Sequence, residues 1–351
     1  MSEAMEWREA LAEQLDRGLT DLAGPEVLRA TETGVFATAA WDMVAALGLP
    51  WALVPEARGG SGLGWADLVP MLRQLGRHGA PVPLGEAVLA NHILALAGLD
   101  PVEGVIGVED AAGGDTGVWP CGRHAQHLLR LRREGDGLSV SLQDAAGLHW
   151  QLGRNVGREP RDRLAAPGPI PAGASLPSRQ DGVELLGGAL LRSLQICGAA
   201  EEVLAMTIDY ALLRRQFGRE IGRFQAVQQA LARMAGEVAA CGAAAEGAAA
   251  AADRRGLVDA ELEIAAAKVM AGEAASVAAE VAHQIHGAIG ITDEHRLHLL
   301  TRRLWSWRAE FGSDAFWARR LGGAAIIGGG GALWRLLTLR DDETPPAGDP
   351  A

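Results

Sequence analysis

Residues 210–227 read YALLRRQFGREIGRFQAV. A helix-forming run ends near Arg215, and Phe217-Gly218 make a turn. Arg219, Ile221-Gly222 and Phe224-Gln225 then lead into a second helix. Arginine can hold a phosphate oxygen through two hydrogen bonds, and glycine lets a backbone come close to a ligand. On local chemistry alone, a helix–turn–helix with ordinary surface arginines accounts for the same residues.

Outward from this stretch the chain is helical on both sides. Phe224, Val227, Leu231, Met234, Val238 and Cys241 step by three and four, an apolar seam with heptad spacing. The Ala-rich run at 239–252 lacks bulk but has high helix propensity. A second long helix is predicted over about Val258–Gly287. Towards the N-terminus, residues 1–100 also read as helices. Trp41, Val44, Leu47 and Leu49 share a face that Pro50 ends. The loop PEARGGSGLG follows, then a helix from Trp65 and a third over Glu86–Ala97. Between the two helical regions, GVIGV, HLLRLRR and GLSVSL carry β-formers punctuated by Gly, Asp and Pro.

The fold class is therefore mainly α with a small β domain. The chain divides into a helical domain at 1–102, a middle β domain at 103–180, a helical bundle at 181–340 and a polar, disordered tail at 341–351. A doubly wound fold would need alternating strands and helices. The GGSGLG loop lacks the GxGxxG spacing of a dinucleotide site and reads as a flexible turn near a pocket or subunit contact.

The chain has 351 residues, 48% of them hydrophobic, and a net charge of -12. That charge argues against nucleic-acid binding, which needs a phosphate-neutralising excess. No run of 18 apolar residues predicts a membrane span. The charged N-terminus lacks a signal-peptide core. Cys121, Cys197 and Cys241 are odd in number and far apart, which predicts free thiols in the cytoplasm.

Two further segments carry chemistry. His283–Glu294, HQIHGAIGITDE, follows the long helix and turns at Gly287 and Gly290. His283/His286 and His295/His298 raise the question of a metal. The Gly-rich turn separates the pairs and no acidic ligand completes them, so no metal is expected. The third segment, Arg302–Gly322, sets Trp305, Trp307, Phe311, Phe316 and Trp317 around Glu310. A carboxylate in an apolar pocket has its pKa raised by desolvation, which suits a general base. The plainer account is an aromatic core with Glu310 paired to Arg302, Arg303 or Arg308.

Taken together, these segments resemble the acyl-CoA dehydrogenase family over nearly the whole chain. The resemblance rests on LGLPWALVPEARGGSGLG with LGRHGAPVPL, on RRQFGREIGRFQAVQQALARMA, and on AAAKVMAGEAASVAAEVAHQIHGAIGIT, in that order. It implies an N-terminal helical domain, a middle β-barrel and a C-terminal four-helix bundle. It implies oxidation of an acyl-CoA thioester in lipid metabolism, fatty acid or sterol, in a tetramer holding FAD between subunits. A carboxylate takes the α-proton, the β-hydrogen leaves as hydride to the flavin, and electrons pass to an electron-transfer flavoprotein. Arg214, Gln216 and Phe217 match the segment that contacts the FAD pyrophosphate of a neighbouring subunit. Gln284 and Gly287 match the adenine-contacting segment, and Gly312-Ser313 match the Gly-Thr pair that touches FAD.

The sequence also departs from the family. Phe311 falls at the usual base position and Glu310 one residue early, about 100° of helical rotation away. The alternative base position, on the preceding helix, holds Gly188-Ala189, with Glu184 one turn off. The Thr-Glu-Pro-type motif of the middle domain is not visible. Two expectations follow: an active dehydrogenase with Glu310 as base, or a non-catalytic, half-site subunit completing the FAD pocket of a homologous partner in a homo- or hetero-oligomer.

Overall fold

The computed structural model describes residues 3–110, 117–134, 137–166, 168 and 171–338. The tail at 341–351 lies outside the described residues. Five helices come first: α1 (Glu3–Leu22), α2 (Pro25–Glu32), α3 (Thr38–Ala46), α4 (Trp65–His78) and α5 (Leu84–Leu96). Pro25 opens α2, where its missing N–H removes no helical bond. Trp41 and Val44 are buried on α3. Gly48, at φ +72, then turns the chain into a short 3-10 turn over Leu49–Trp51.

The middle region forms β1 (Ile106–Val108), β2 (Trp119–Pro120), β3 (His127–Glu134), β4 (Gly137–Asp144), β5 (Trp150–Gln151), β6 (Arg161–Leu164) and β7 (Ala174–Pro177). One sheet has the order β1-β3-β4-β7, with β1 parallel to β3 and the other pairs antiparallel. The other is β2-β6-β5, antiparallel throughout. Leu129, Leu138 and Val140 join the main core. Trp119, Leu128 and Ala145 make a separate small cluster.

The C-terminal region contains α6 (Val183–Leu213), the hairpin β8 (Arg215–Gln216) and β9 (Arg219–Glu220), α7 (Gln225–Arg255), α8 (Glu261–His286), α9 (Leu297–Trp307) and α10 (Asp314–Thr338). Helices α6, α7 and α8 pack on one another, and α10 lies against α8. Alanines on α7 and α8, among them Ala245, Ala248, Ala271 and Ala278, are fully buried, so the helices come close. The heptad seam is buried only in part. Met234, Val238 and Cys241 are enclosed, whereas Phe224, Val227 and Leu231 stay half-exposed. Cys197 and Cys241 face each other across α6 and α7 as free thiols. Among the described residues, no helix is long and apolar enough to cross a membrane.

The GGSGLG loop is anchored at its end. Asp253 of α7 accepts the N–H groups of Trp65 (2.5 Å) and Ala66 (2.9 Å), capping α4 from a distant part of the chain. The α4–α6 crossing depends on two glycines. A Cβ at Gly76 would collide with the backbone of Gln195, and one at Gly198 with the backbone of Arg73. Backbone cannot yield as a flexible side chain can. Gly198→Ala is therefore expected to lower unfolding free energy by roughly 1–3 kcal/mol. Gly236→Ala on α7, whose Cβ would meet open space, is expected to raise it by up to about 1 kcal/mol. Urea midpoints of the two variants check both.

Candidate active site

The turn from Arg308 to Ser313 joins α9 to α10 and carries the residues that the sequence singled out. Phe311 has φ +51 and Gly312 φ +88, so two successive left-handed residues reverse the chain. Three contacts hold this backbone. The buried Lys268 Nζ donates to the carbonyls of Trp307 (3.3 Å), Arg308 (2.8 Å) and Gly312 (2.9 Å). Asp110 accepts the Phe311 N–H at 2.9 Å, and Trp317 Nε1 donates to the Phe311 carbonyl at 2.9 Å. Burial pushes Lys268 down to about 7 despite the attraction of Glu310 and Asp110. Ser313 caps α10, its Oγ accepting the Phe316 N–H at 3.2 Å.

Glu310 is buried with both oxygens engaged. Oε1 accepts from Arg161 Nε at 2.7 Å and Asn155 Nδ2 at 3.0 Å. Oε2 accepts from Arg192 Nε at 2.7 Å and Arg161 Nη2 at 3.0 Å. The network continues from Arg192 to Glu86 and Gln195, and from Arg161 to Glu159. Burial alone would raise the carboxyl pKa. Arg161 and Arg192 outweigh it and hold Glu310 at about 2. The arginines near it in sequence are used elsewhere: Arg302 pairs with Glu32, and Arg308 with Asp314. Arg303 donates to the Leu299 carbonyl, 3.7 Å from Glu159.

Phe311 occupies the space next to α6. A Cβ at Gly188 would collide with its ring, and the ring is 2% exposed. The cavity beside this cluster is lined by Glu86, Cys121, Glu159, Arg161, Arg192 and Trp307 among others, and holds about 30 Å³. Ligand pockets usually span about 300–1,000 Å³. This cavity, which Glu310 itself does not line, is smaller than an ordinary ligand pocket. Glu184, in the first turn of α6, is raised by burial and lowered by its own backbone N–H. Burial outweighs that contact, so the Glu184 carboxyl is raised on balance, and its Oε2 is buried with no hydrogen-bond partner.

The other sequence-predicted residues gather at the far end of the bundle. Lys268 and Gln284 are separated by sixteen positions of α8, roughly 24 Å at 1.5 Å per residue. Tyr210 stacks on His286 at 4.4 Å, bringing the α6 exit beside the α8 C-terminus. Arg214, Gln216 and Phe217 are exposed on the hairpin, and Gln284 and Gly287 are exposed near it. Phe217 is 88% and Leu213 80% exposed, large apolar groups left uncovered. The hairpin tip places Phe217 (φ +50) and Gly218 (φ +82) in the geometry of a tight turn. These exposed donors and ring fit the phosphate-bearing arm of a dinucleotide.

Among the described residues, no group of three or more His, Cys, Asp or Glu could hold a metal. His283 bonds Thr301, and the His286 and His295 rings lie 4.8 Å apart. The sequence reasoning missed Arg161, Arg192, Glu86, Asn155 and Lys268. Two left a signal: Arg192 and Lys268 are lone cations in apolar stretches of α6 and α8, where a charge requires a buried partner.

Glu310→Gln removes the charge that two buried guanidinium groups face. At pH 7 the variant is expected to lose about 3–5 kcal/mol of stability. The folded pKa of Glu310 lies below the ordinary 4.5, so its stabilisation is complete above pH 4.5 and is lost as pH falls towards 2. The stability gap between parent and variant should narrow over that window in urea titrations.

The acyl-CoA dehydrogenase N-terminal domain family matches residues 5–101, and the C-terminal domain family of the same enzymes matches residues 183–326. Acyl-CoA dehydrogenase IpdE2 of Mycobacterium tuberculosis is 30% identical over 308 residues, 85% of this chain and 91% of that protein. A Tcur3481-Tcur3483 steroid ACAD variant of known structure is 27% identical with a TM-score of 0.79, covering 93% of this chain and 99% of that one. A glutaryl-coenzyme A dehydrogenase bound to glutaryl-CoA shares the fold, with 22% identity, a TM-score of 0.75 and coverage of 92% and 95%. The chain belongs to the acyl-CoA dehydrogenase family of oxidoreductases.

Proposed function

We propose that this chain serves FAD-dependent α,β-dehydrogenation of an acyl-CoA thioester as a half-site subunit. It completes the FAD pocket of a homologous partner, and that partner supplies the base. The observation that carries this proposal is Glu310 held between Arg161 and Arg192. A general base works best with a pKa near the operating pH. A carboxylate held at about 2 by two guanidinium groups is far from that, and both its oxygens already accept hydrogen bonds. Phe311 then fills the position next to Gly188 with a ring that takes no proton.

The exposed end of the bundle has the chemistry that the core lacks. In this reading Arg214 and Gln216 hold the pyrophosphate of FAD seated in the partner. Phe217 covers its apolar surroundings, and Gln284 with the Gly287 turn meets the adenine. Ser313 caps α10 by accepting the Phe316 N–H, which leaves its hydroxyl hydrogen free to donate to the flavin. FAD held there would supply the hydride acceptor for the β-hydrogen, with an electron-transfer flavoprotein as the onward acceptor of the electrons. The uncovered Leu213 and Phe217 and the half-exposed start of α7 support a partner surface here. Likeness to a steroid ACAD named for two components favours a hetero-oligomer and a bulky, sterol-derived acyl group.

The chain and its partner, purified together, test this. Glu310→Gln is expected to keep turnover per bound flavin while lowering the thermal midpoint. Arg214→Ala is expected to reduce FAD content, since one charge-assisted phosphate contact is worth about 1.5–3 kcal/mol. Loss of turnover in Glu310→Gln with FAD fully retained would make Glu310 the base.

A further inference from the structure

A cleft of about 670 Å³ opens between α2, the 154–158 loop, the end of α8 and the start of α9. Its size suits a small molecule. Four arginines line it, Arg29, Arg154, Arg158 and Arg302, against Glu32 and Asp293. Glu32 is shared: Arg302 is 2.6 Å away, Arg158 3.7 Å and Arg303 3.8 Å. Arg303 also faces Glu159 and Arg29 pairs with Glu26, which leaves Glu32 for both Arg302 and Arg158, while Asp293 is 94% exposed, so its charge is screened by water. Arg154 makes no side-chain bond or ion pair among the described residues. The cleft is thus a local excess of positive charge on a chain of net charge -12.

Two further features point to a ligand. Arg29 Nε and His283 Nδ1 are buried polar atoms with no hydrogen-bond partner, although buried polar groups are normally satisfied. Trp305, 44% exposed, stands on the same wall and offers an indole for base stacking.

We infer that this cleft binds a nucleotide, its phosphates on Arg154, Arg158 and Arg302 and its base against Trp305. Guanidinium groups match phosphate geometry in a way a lysine cluster would not. His283 and Ile291 line the cleft beside the Gln284–Gly287 segment assigned above to FAD, but none of Arg154, Arg158, Arg302 and Trp305 belongs to that assignment, and the variants below tell the two apart.

Calorimetric titration of the full chain with ADP, inorganic phosphate and adenosine tests the inference. ADP is expected to bind saturably and more tightly than either fragment, and to weaken as salt rises. Arg154→Ala and Arg158→Ala, both at exposed positions, should each weaken ADP about tenfold. Trp305→Ala should weaken ADP and leave phosphate unchanged. Arg214→Ala should leave ADP binding intact. Absence of saturable ADP binding would overturn the inference. So would binding that survives both cleft arginine variants, or binding that disappears with Arg214→Ala, which would place the nucleotide on the hairpin.

Discussion

The carboxylate of Glu310, clamped by Arg161 and Arg192, ties three regions of the chain to one point. Arg192 comes from the middle of α6, and its other nitrogens reach Gln195 and Glu86, the latter on α5. Arg161 comes from β6 and reaches Glu159. Glu310 itself sits on the turn that Lys268 of α8 holds by three carbonyls. Helical domain, sheets and bundle therefore meet at a single buried ionic cluster. Such clusters add little net stability compared with a well-packed apolar core, but removing one member leaves the others uncompensated. The cluster thus constrains how the regions dock.

The same cluster decides the chemistry. Two guanidinium groups that neutralise a buried carboxylate also remove its basicity, because any proton it accepts must displace them. Phe311 adds a steric term. Its left-handed backbone turns the ring onto Gly188, the one residue type on that turn of α6 whose lack of a Cβ admits it. Around Glu310 this chain has an ion network and a packed ring. At the opposite end of the bundle, Arg214, Gln216 and Phe217 stand exposed on the hairpin.

Much of this was legible in the sequence where the signal is local. The start of α4 at Trp65 and the turn at Phe217-Gly218 follow from backbone preferences within a few residues, whereas Pro50 does not end its helix: α3 stops at Ala46 before Gly48, and Pro50 lies inside the 3-10 turn that follows. The partners of Glu310 were not legible. The sequence favoured Arg302, Arg303 and Arg308 because they are near. The actual partners lie 149 and 118 positions away, and docking of the sheets against α6 selects them. The seam on α7 shows the same limit. Its spacing marks an apolar face, but whether Phe224, Val227 and Leu231 are covered depends on what else packs there. The Asp253 cap on α4 is likewise long-range and has no local signature.

The flavin content of the purified protein tests the central claim most directly. Absorbance of released FAD against protein concentration gives the stoichiometry, for this chain alone and in complex with its homologous partner. If the core slot is closed, the chain alone is colourless and the complex holds one FAD per pair of unlike subunits. One FAD per chain, in this chain purified alone, would mean that the slot beside Glu310 opens to a flavin and would contradict the account.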